Sequence, residues 1–429
     1  MINAVIAFVL FVLLLLFEVP VSFSIVAGSM SYAAATGESL LMFAQKLSKS
    51  YADSTMMAIP SFLFVGIYMN HVGMTDKIFS FCEKWIGHIS GGLAHANVLG
   101  SMIFAGMSGS ALADAGGLGV IEIQTMRKAG YDENFSVAVT AASSTIGPII
   151  PPSINLLIWG YLSSTATVTL FIAGLVPGIL MGVFMMIFCV ILIKAYKIRA
   201  PRTRKFTWSE RGKATREALP VLGGPAILIF GIMFGIFTPS ECGAIAAVYC
   251  IILSFFLKKL NFKMFRSAMR ETLSSTAMVM ALCATGLIFN WMIVTSGLLD
   301  SLTSVLGTIN SEVAILLILN LIMLVMGCFM GSMQILIMMS PLLMSIATSM
   351  GMSYVQMGVI AVFNLVIGLI TPPLAPSLFV ACQATGTSFN GALKYTALFV
   401  IPLIAVLLLI TFVPAVTEFL PSLLGYTIT

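Results

Sequence analysis

The sequence predicts an all-α polytopic membrane protein, and three observations support this fold class. Hydrophobic residues make up 59% of the 429 residues and charged residues only 9%, whereas globular chains carry about 25% charged residues. Apolar runs such as 4–17 and 168–193 are far longer than the roughly ten-residue alternating segments of a membrane β-barrel. Small, polar and Gly/Pro-rich stretches interrupt the apolar sequence at 104–114 and 143–152. Such breaks survive in lipid only where protein or a hydrated cavity surrounds them.

The basic residues predict the orientation of the spans, because cytoplasmic loops collect Lys and Arg. Nine of these residues lie in 194–216 and five in 258–270, so both loops are placed in the cytoplasm. Both termini then lie on the opposite side, and of the 21 basic residues only Lys46 and Lys49 lie there with them. The predicted spans are 3–17, 20–36, 54–70, 135–163, 168–193, 219–236, 240–257, 272–295, 353–380 and 395–418.

The first half, residues 1–196, contains a predicted re-entrant hairpin at about 88–128 and a broken helix at 135–163. Each limb of the hairpin has about 16 residues, or roughly 24 Å of helix, which is short of the roughly 30 Å hydrocarbon core. The hairpin is therefore expected to enter and leave on one side of the membrane. Two short or tilted spans are the alternative.

A basic cytoplasmic linker, 197–217, joins this half to the second half, 218–429. The second half contains a predicted hairpin at about 312–350 and a broken helix at 353–380. Within 258–275, apolar and basic residues recur at helical spacing, which is typical of a helix lying in the membrane interface. Its apolar members are Phe262, Phe265 and Met269, and its basic members are Lys263, Arg266 and Arg270.

The two halves share their Gly/Pro pattern at an offset of 221 residues. At this offset Gly130 corresponds to Gly351, Gly147 to Gly368, and Pro151-Pro152 to Pro372-Pro373. Each half has five predicted spans and one hairpin, and because five is odd the second copy is inverted in the membrane. Inverted repeats with broken helices that meet near the midplane are typical of secondary transporters.

The first hairpin tip and the first broken helix predict a site for Na+. Where one helix ends and another begins, free carbonyl oxygens suit a small cation and free N–H groups suit a carboxylate. Hydroxyl groups at both breaks add further oxygen ligands. The predicted ligands of the first Na+ site are Ser108, Ser110, Ser144, Thr145 and Gly147.

The second tip and the second broken helix predict a symmetric Na+ site with fewer hydroxyls and more backbone oxygens. Its predicted ligands are Gly327, Gly331, Leu369, Thr371 and Pro372. Close helix packing is the alternative explanation for the small-residue spacings at both tips. The pairing of four breaks by the repeat favours the ion sites.

Polar residues close to the first tip and first double proline are the candidates for substrate binding: Ser108, Ser110, Asp114, Ser153 and Asn155. A carboxylate within a membrane segment, such as Asp114, is a functional candidate by default, and a hydrated position nearer the surface is the alternative. None of the predicted spans contains Arg. An acidic substrate is therefore expected to bind helix ends, hydroxyls and Na+.

Enzyme chemistry and nucleic-acid binding are not expected. The chain has no His-Glu-x-x-His motif, phosphate loop or nucleophile elbow. Gly116-Gly-Leu-Gly119 resembles part of a dinucleotide fingerprint, but it lies in the predicted hairpin with no strand before it. No spacing of His or Cys predicts a metal centre, and no organic cofactor is expected. Transport would therefore depend on an ion gradient.

Several segments resemble the large membrane subunit of tripartite ATP-independent periplasmic (TRAP) transporters, the DctM-like family. They follow one another over nearly the whole chain: Ile59-Pro-Ser-Phe, Gly91-Gly-Leu-Ala, Phe104-Ala-Gly-Met-Ser-Gly-Ser, Gly147-Pro-Ile-Ile-Pro-Pro-Ser153, Ala173-Gly-Leu-Val-Pro-Gly178, Thr238-Pro-Ser-Glu-Cys-Gly-Ala and Asn364-Leu-Val-Ile-Gly-Leu-Ile-Thr-Pro-Pro373. The chain departs from the family pattern at Leu374-Ala375-Pro376, where relatives often continue Val-Gly. Its overall likeness is greatest to the sialic acid branch.

The resemblance implies a multi-pass protein of the bacterial inner membrane that imports an organic acid together with Na+ by an elevator mechanism. It also implies two partners, a separate small four-helix membrane subunit and a periplasmic substrate-binding protein, with both termini of this chain in the periplasm. Sialic acid is the first candidate substrate, and C4-dicarboxylates are others. The main alternative is an anion exchanger or channel of the same broad fold that needs no binding protein.

Overall fold

The computed structural model describes residues 2–298, 309 and 311–428, and every regular element in this part is a helix. In chain order these helices are α1 (Ile2–Leu16), α2 (Val21–Thr36), α3 (Leu41–Ala52), α4 (Ala58–His71), α5 (Thr75–Ile86), α6 (Gly92–Ser108), α7 (Ala111–Gly116), α8 (Leu118–Lys128), α9 (Glu133–Ser144), α10 (Ile154–Ser163), α11 (Thr167–Ala195), α12 (Trp208–Met233), α13 (Pro239–Phe256), α14 (Phe262–Thr295), α15 (Glu312–Gly327), α16 (Ser332–Ser349), α17 (Tyr354–Gly368), α18 (Pro376–Thr385), α19 (Phe389–Phe412) and α20 (Ala415–Leu423).

Six of these helices are long and apolar enough to cross a membrane: α11, α12, α13, α14, α16 and α19. Shorter apolar helices, including α1, α2, α10, α15 and α17, accompany them. The prediction of an all-α polytopic membrane protein is therefore confirmed. Of the two predicted halves, 1–196 and 218–429, residues 1, 299–308, 310 and 429 lie outside the described residues.

Several helix boundaries differ from the prediction, and three of the differences have a clear local reason. α12 begins at Trp208, inside the predicted linker 197–217, because Thr207 and Glu210 form a capping box there. From Phe262 onward, the predicted interfacial segment 258–275 belongs to the 34-residue α14. This helix contains no Gly or Pro before Gly286 that could end it earlier. The last predicted span, 395–418, ends at Phe412, just before Pro414, and α20 follows.

The helix boundaries of the two halves agree at the offset of 221 residues. The limb formed by α7 and α8 covers 111–128 and α16 covers 332–349, while α9 begins at 133 and α17 at 354. The breaks that follow also correspond, since α10 begins at 154 and α18 at 376, one residue later than the offset gives. These boundaries are what an internal repeat would produce, and the inversion of the second copy stays a prediction.

The two broken helices occupy the interior of the molecule. Every residue from 135 to 160 is buried, as is every residue from 355 to 370. The second part of each broken helix packs on the hairpin of the other half, α10 on α16 and α18 on α7. By contrast, α1 exposes large apolar side chains along its outer face, as expected of a helix in contact with lipid or another membrane helix.

A cation–π cluster joins α5 to the beginning of α12. The guanidinium carbon of Arg211 lies 5.7 Å from the ring centroid of Trp85 and 5.3 Å from that of Trp208, within the range of cation–π attraction. Arg211 Nε also donates a hydrogen bond to the carbonyl of Lys84 at 3.2 Å. Trp85 Nε1 donates to Thr215 Oγ1 at 3.1 Å. These contacts attach the basic region of the chain to the helix that precedes the first hairpin.

Candidate substrate and ion site

The first hairpin turns at Gly109 and Ser110. Gly109 has a φ of +57°, which glycine adopts without strain, and its N–H donates to the carbonyl of Ala105. Ser110 then caps α7, since its hydroxyl accepts a hydrogen bond from the N–H of Ala113. The sequence predicts an interruption over 104–114, and in the structure α6 continues through Ser108 before the turn.

The first broken helix is interrupted from Thr145 to Ser153. Pro148, Pro151 and Pro152 lie in this interval and have no N–H to donate to a helix. At its start, the hydroxyl of Ser144 donates to the carbonyl of Ala141 at 2.8 Å, and that of Thr145 donates to Ala142. Because each hydroxyl hydrogen is used within its own helix, the oxygen lone pairs remain available to a cation.

The first tip and the first break lie directly against each other. A Cβ atom on Gly147 would lie 3.3 Å from the carbonyl carbon of Ser110 and 3.4 Å from its oxygen. A Cβ atom on Gly109 would lie 2.5 Å from the carbonyl oxygen of Pro152. The segments that carry the predicted ligands Ser108, Ser110, Ser144, Thr145 and Gly147 are therefore brought together.

The second tip, residues 328–331 between α15 and α16, and the second break, residues 369–375 between α17 and α18, show the same close approach. A Cβ atom on Gly368 would lie 2.5 Å from both the carbonyl carbon and the oxygen of Gly327. The hydroxyl of Thr371 donates to the carbonyl of Ile367 in the preceding helix at 2.8 Å, just as the Thr145 hydroxyl donates to the carbonyl of Ala142 in the first break. The carbonyl of Leu369 accepts from the N–H of Ser377 at 3.0 Å, which leaves it one lone pair for another ligand. The remaining predicted ligands are Gly331, at the tip, and Pro372, in the break.

A cavity of about 410 Å³ lies between the two hairpin tips. This volume falls within the roughly 300–1,000 Å³ typical of small-molecule sites. Its polar lining comes chiefly from the tips and the first broken helix: Ser108, Gly109, Ser110, Asn155, Gly331, Ser332 and Gln334. The residues contributed by α4 and α14 are mostly apolar: Leu63, Gly66, Ile67, Met278, Val279 and Leu282, with Ser275 and Glu271. The hairpins and breaks also contribute apolar residues: Ala111, Leu112, Ala113, Pro148, Ile154, Met333 and Leu369.

Asn155 connects the two halves at this cavity. Its Nδ2 donates a hydrogen bond to the hydroxyl of Ser332 at 3.2 Å, so the first broken helix is joined to the second hairpin. Its Oδ1 is buried and has no hydrogen-bond partner among the described residues. Since a buried amide oxygen without a partner is costly, it is suited to accept a hydrogen bond from a ligand or to contact a cation.

Two predicted substrate ligands do not line the cavity. Ser153 caps α10, accepting from the N–H of Leu156 at 3.1 Å, and its hydroxyl donates to the carbonyl of Pro148. A Ser immediately before an apolar helical segment is an N-cap signal, so this role could have been predicted from the sequence. Asp114 is buried next to the hydroxyl of Ser101. Among the described residues, no group donates a hydrogen bond to either of its carboxylate oxygens.

A chain of buried polar side chains fixes the first hairpin to α9. The hydroxyl of Ser101 donates to that of Ser143 at 3.0 Å, and Ser143 donates to Asn97 Oδ1 at 2.8 Å. Asn97 Nδ2 in turn donates to the hydroxyl of Thr140 at 2.6 Å. Satisfied networks of this kind position neighbouring helices rigidly, so the chain holds the first tip in register with the first break.

The second half contains a corresponding clamp. Asn364, which lies 221 residues after Ser143, donates through Nδ2 to the side-chain oxygen of Asn320 on α15 at 2.8 Å. Asn320 Nδ2 donates to the hydroxyl of Thr411 at 3.2 Å. Neither clamp was predicted from the sequence, nor were Gln334, Ser275 and Glu271 at the cavity. Isolated polar residues within apolar helices are the signal that could have identified them.

Comparison with known proteins gives one family. The family model described as "Tripartite ATP-independent periplasmic transporter, DctM component" matches residues 8–416. The sialic acid TRAP transporter large permease protein SiaM of Vibrio cholerae is 36% identical over 96% of this chain and 97% of its own length. The sialic acid TRAP transporter permease protein SiaT of Haemophilus influenzae is 34% identical over 98% of this chain and 69% of its own length. The C4-dicarboxylate TRAP transporter large permease protein DctM of Pseudomonas aeruginosa is 32% identical over 93% of both chains.

Among solved structures, the YdaH transporter of Alcanivorax borkumensis has a similar fold. Its TM-score is 0.60 at 15% sequence identity, and the alignment covers 86% of each chain. At this level of identity the likeness concerns the fold alone.

Proposed function

Because the chain belongs to the DctM family of tripartite ATP-independent periplasmic transporters, which are transporters and not enzymes, we propose that it imports an organic acid together with Na+. The observation that carries this proposal is the arrangement of two hairpin tips and two broken helices around one cavity. Discontinuous helices at a repeat interface are where secondary transporters bind substrate and coupling ions. The chain would be the large membrane subunit of a symporter in the bacterial inner membrane.

The two Na+ sites are proposed where each tip meets its break. At the first, the oxygens of Ser108, Ser110, Ser144, Thr145 and Gly147 would coordinate the ion, supported by the close approach of Gly147 to Ser110. At the second, Gly327, Gly331, Leu369, Thr371 and Pro372 would supply mainly backbone oxygens. Replacement of Ser108, Ser110 or Thr371 is then expected to weaken the Na+ dependence of uptake.

The substrate is proposed to bind to the polar residues that line the cavity. Ser108, Ser110 and Asn155 remain candidate ligands, and Ser332 and Gln334 join them. Glu271 is the one charged side chain among the described residues of the lining, so an acid would bind to hydroxyls, amides, helix ends and Na+. Sialic acid is the first candidate because the two relatives named for it are 36% and 34% identical, and C4-dicarboxylates follow.

An elevator mechanism is proposed because most polar groups of the cavity belong to the hairpins and the first broken helix, whereas α4 and α14 contribute mainly apolar side chains. The hairpins and broken helices of the inverted halves 1–196 and 218–429 would move together with the bound acid. The helices α4 and α14, whose residues at the cavity are mostly apolar, would stay in place. The proposed partners are a small four-helix membrane subunit and a periplasmic substrate-binding protein, with both termini of this chain in the periplasm.

Uptake into proteoliposomes that contain this chain and its small subunit tests the proposal. Radiolabelled sialic acid and C4-dicarboxylates would be supplied with and without the cognate binding protein, under an imposed Na+ gradient. Uptake that needs both Na+ and the binding protein is expected. Uptake of free acid without the binding protein would instead support the anion exchanger or channel of the same fold.

A further inference from the structure

Glu122 is a wholly buried carboxyl group that the proposed ion and substrate sites do not use. It lies on α8, with 0% of its surface exposed, and neither of its side-chain oxygens has a hydrogen-bond partner among the described residues. The side chain occupies a recess created by Gly100 on α6, where a Cβ atom would lie 2.8 Å from Glu122 Oε1. Leu118 and Phe79 close the same recess, at 3.7 and 3.8 Å from that Cβ position.

Among the described residues, no positively charged group pairs with Glu122. The helices packed against α8 are α5, α6, α7, α9 and α18. The titratable groups that face its carboxyl group are Cys82 on α5 and Asp114 on α7, which are neutral or negative. None of the ion pairs in the described part of the chain includes Glu122, and Arg127 on the same helix pairs with Glu133.

We propose that Glu122 is a proton-binding site inside the first hairpin, and that the proton is bound in the state described here. An ionised carboxylate that is buried without a cation or a hydrogen-bond donor is far less stable than the neutral acid. A second negative charge beside Asp114 would add repulsion. The proton therefore allows the Glu122 side chain to lie in the recess beside Gly100, Leu118 and Phe79.

The proposal goes beyond Na+-coupled import, because Glu122 neither lines the cavity nor belongs to a proposed Na+ site. Its consequence is a stability that depends on pH. Above about pH 4.3, the ordinary pKa of a glutamate, the unfolded chain has released a proton that the folded chain keeps at Glu122. This stabilisation is therefore complete below that pH and is lost progressively as pH rises, until the folded carboxyl group also ionises.

The test measures the unfolding of the purified full chain in detergent by tryptophan fluorescence, at several values from about pH 6 to about pH 10. The variants are Glu122→Gln, which is neutral and of the same shape, and the matched control Glu38→Gln at an exposed site. A retained proton changes the unfolding equilibrium by about tenfold per pH unit. The advantage of Glu122→Gln over the wild type is therefore expected to grow by about that factor per unit, and the control is expected to follow the wild type.

Equal pH profiles for Glu122→Gln and the wild type would overturn the proposal. If the amide prevents folding, Glu122→Leu replaces it, because an apolar side chain suits the recess left by a neutral acid. Na+ titration at constant pH provides a second readout. Loss of Na+-dependent stabilisation in either variant would show that Glu122 holds a cation and would also overturn the proton site. A failure of Na+-driven uptake in the wild type would contradict the proposed function without affecting this result.

Discussion

At the scale of single residues, Asn155 connects the two halves of the chain at the cavity. It lies on the first broken helix, contacts the second hairpin through Ser332, and keeps a buried oxygen free. A Ser or Asn after a double proline is an ordinary loop signal, and the sequence offered no reason to pair Asn155 with a residue 177 positions later. Only the folded chain makes this contact.

Replacement of Asn155 by Ala is expected to lower uptake while leaving the fold intact. A hydrogen bond between neutral side chains contributes about 0.5–1.5 kcal/mol, which corresponds to a loss of about 2- to 13-fold in kcat/KM. Initial rates in proteoliposomes over a range of substrate concentrations measure the effect. Asn3→Ala, at an exposed asparagine, is the control. Unchanged kinetics in Asn155→Ala would remove Asn155 from the substrate site.

At the scale of elements, the hairpins depend on glycine for contact with the broken helices. Gly147 and Gly368 occupy equivalent places in the two halves, and each brings its backbone against a hairpin tip. The second contact is the tighter one, since backbone atoms of Gly327 lie within the space that a side chain on Gly368 would need.

Replacement of Gly368 by Ala is expected to separate the second tip from its break. The new Cβ would lie 2.5 Å from backbone atoms that cannot rotate away. Overpacking of this kind costs about 1–3 kcal/mol. Thermal unfolding in detergent should show a lower melting temperature, and the Na+ concentration for half-maximal uptake should rise. Gly212→Ala, where nothing lies within 4 Å, should unfold at the wild-type temperature or above it. Equal results for both variants would contradict this explanation.

The contact between α5 and α12 gives a second prediction at this scale. Arg211→Gln removes the cation from between Trp85 and Trp208, and cation–π attraction at partly exposed sites contributes about 0.5–1 kcal/mol. The tryptophan fluorescence of the folded chain should change, and α5 should exchange its amide hydrogens faster. Lys213→Gln is the control, because it removes one charge from the same turn of the chain. Equal exchange in the two variants would show that the cluster does not hold α5.

At the scale of the whole molecule, most polar groups of the cavity belong to the hairpin tips and the first broken helix, and α4 and α14 contribute mainly apolar side chains. The first hairpin tip touches α4 at Gly66, where a Cβ atom would lie 2.7 Å from the Cα atom of Ser108. If the hairpins move past α4 during transport, this contact belongs to one state of the cycle. Its stability then sets the balance between that state and the others.

Replacement of Gly66 by Ala is expected to disfavour the described state. A penalty of about 1–3 kcal/mol would shift the balance of states by about 5- to 150-fold. Uptake should fall while the melting temperature changes little, because the hairpin can still occupy other positions. Gly224→Ala, whose nearest neighbours lie at 3.5 Å, is the matched control in α12. A large fall in melting temperature without a change in uptake would show that Gly66 serves packing alone.

Much of the architecture could be read from local sequence signals. Composition and run length identified the membrane class, and the Gly and Pro positions lie within a few residues of the helix ends at Ser108, Ser144, Gly327 and Gly368. These features follow from the chain itself, because proline lacks an N–H and lipid does not solvate free backbone groups. The predicted helix boundaries were wrong where the helix start depends on a side-chain cap, as at Thr207. They were also wrong where no Gly or Pro interrupts the helix, as in α14.

The composition of the site depended on contacts between distant parts of the chain. Asn155 with Ser332, Asn364 with Asn320, and the recess around Glu122 each join residues from separate elements. Periodicity and spacing report which face of a helix is apolar, but not which polar residue of another helix it meets. Burial determines which polar groups can bind a ligand, because a carboxyl or amide group needs another partner once the fold removes its water. The sequence therefore determined the membrane class and the positions of the broken helices, whereas the tertiary structure decided which polar groups surround the cavity.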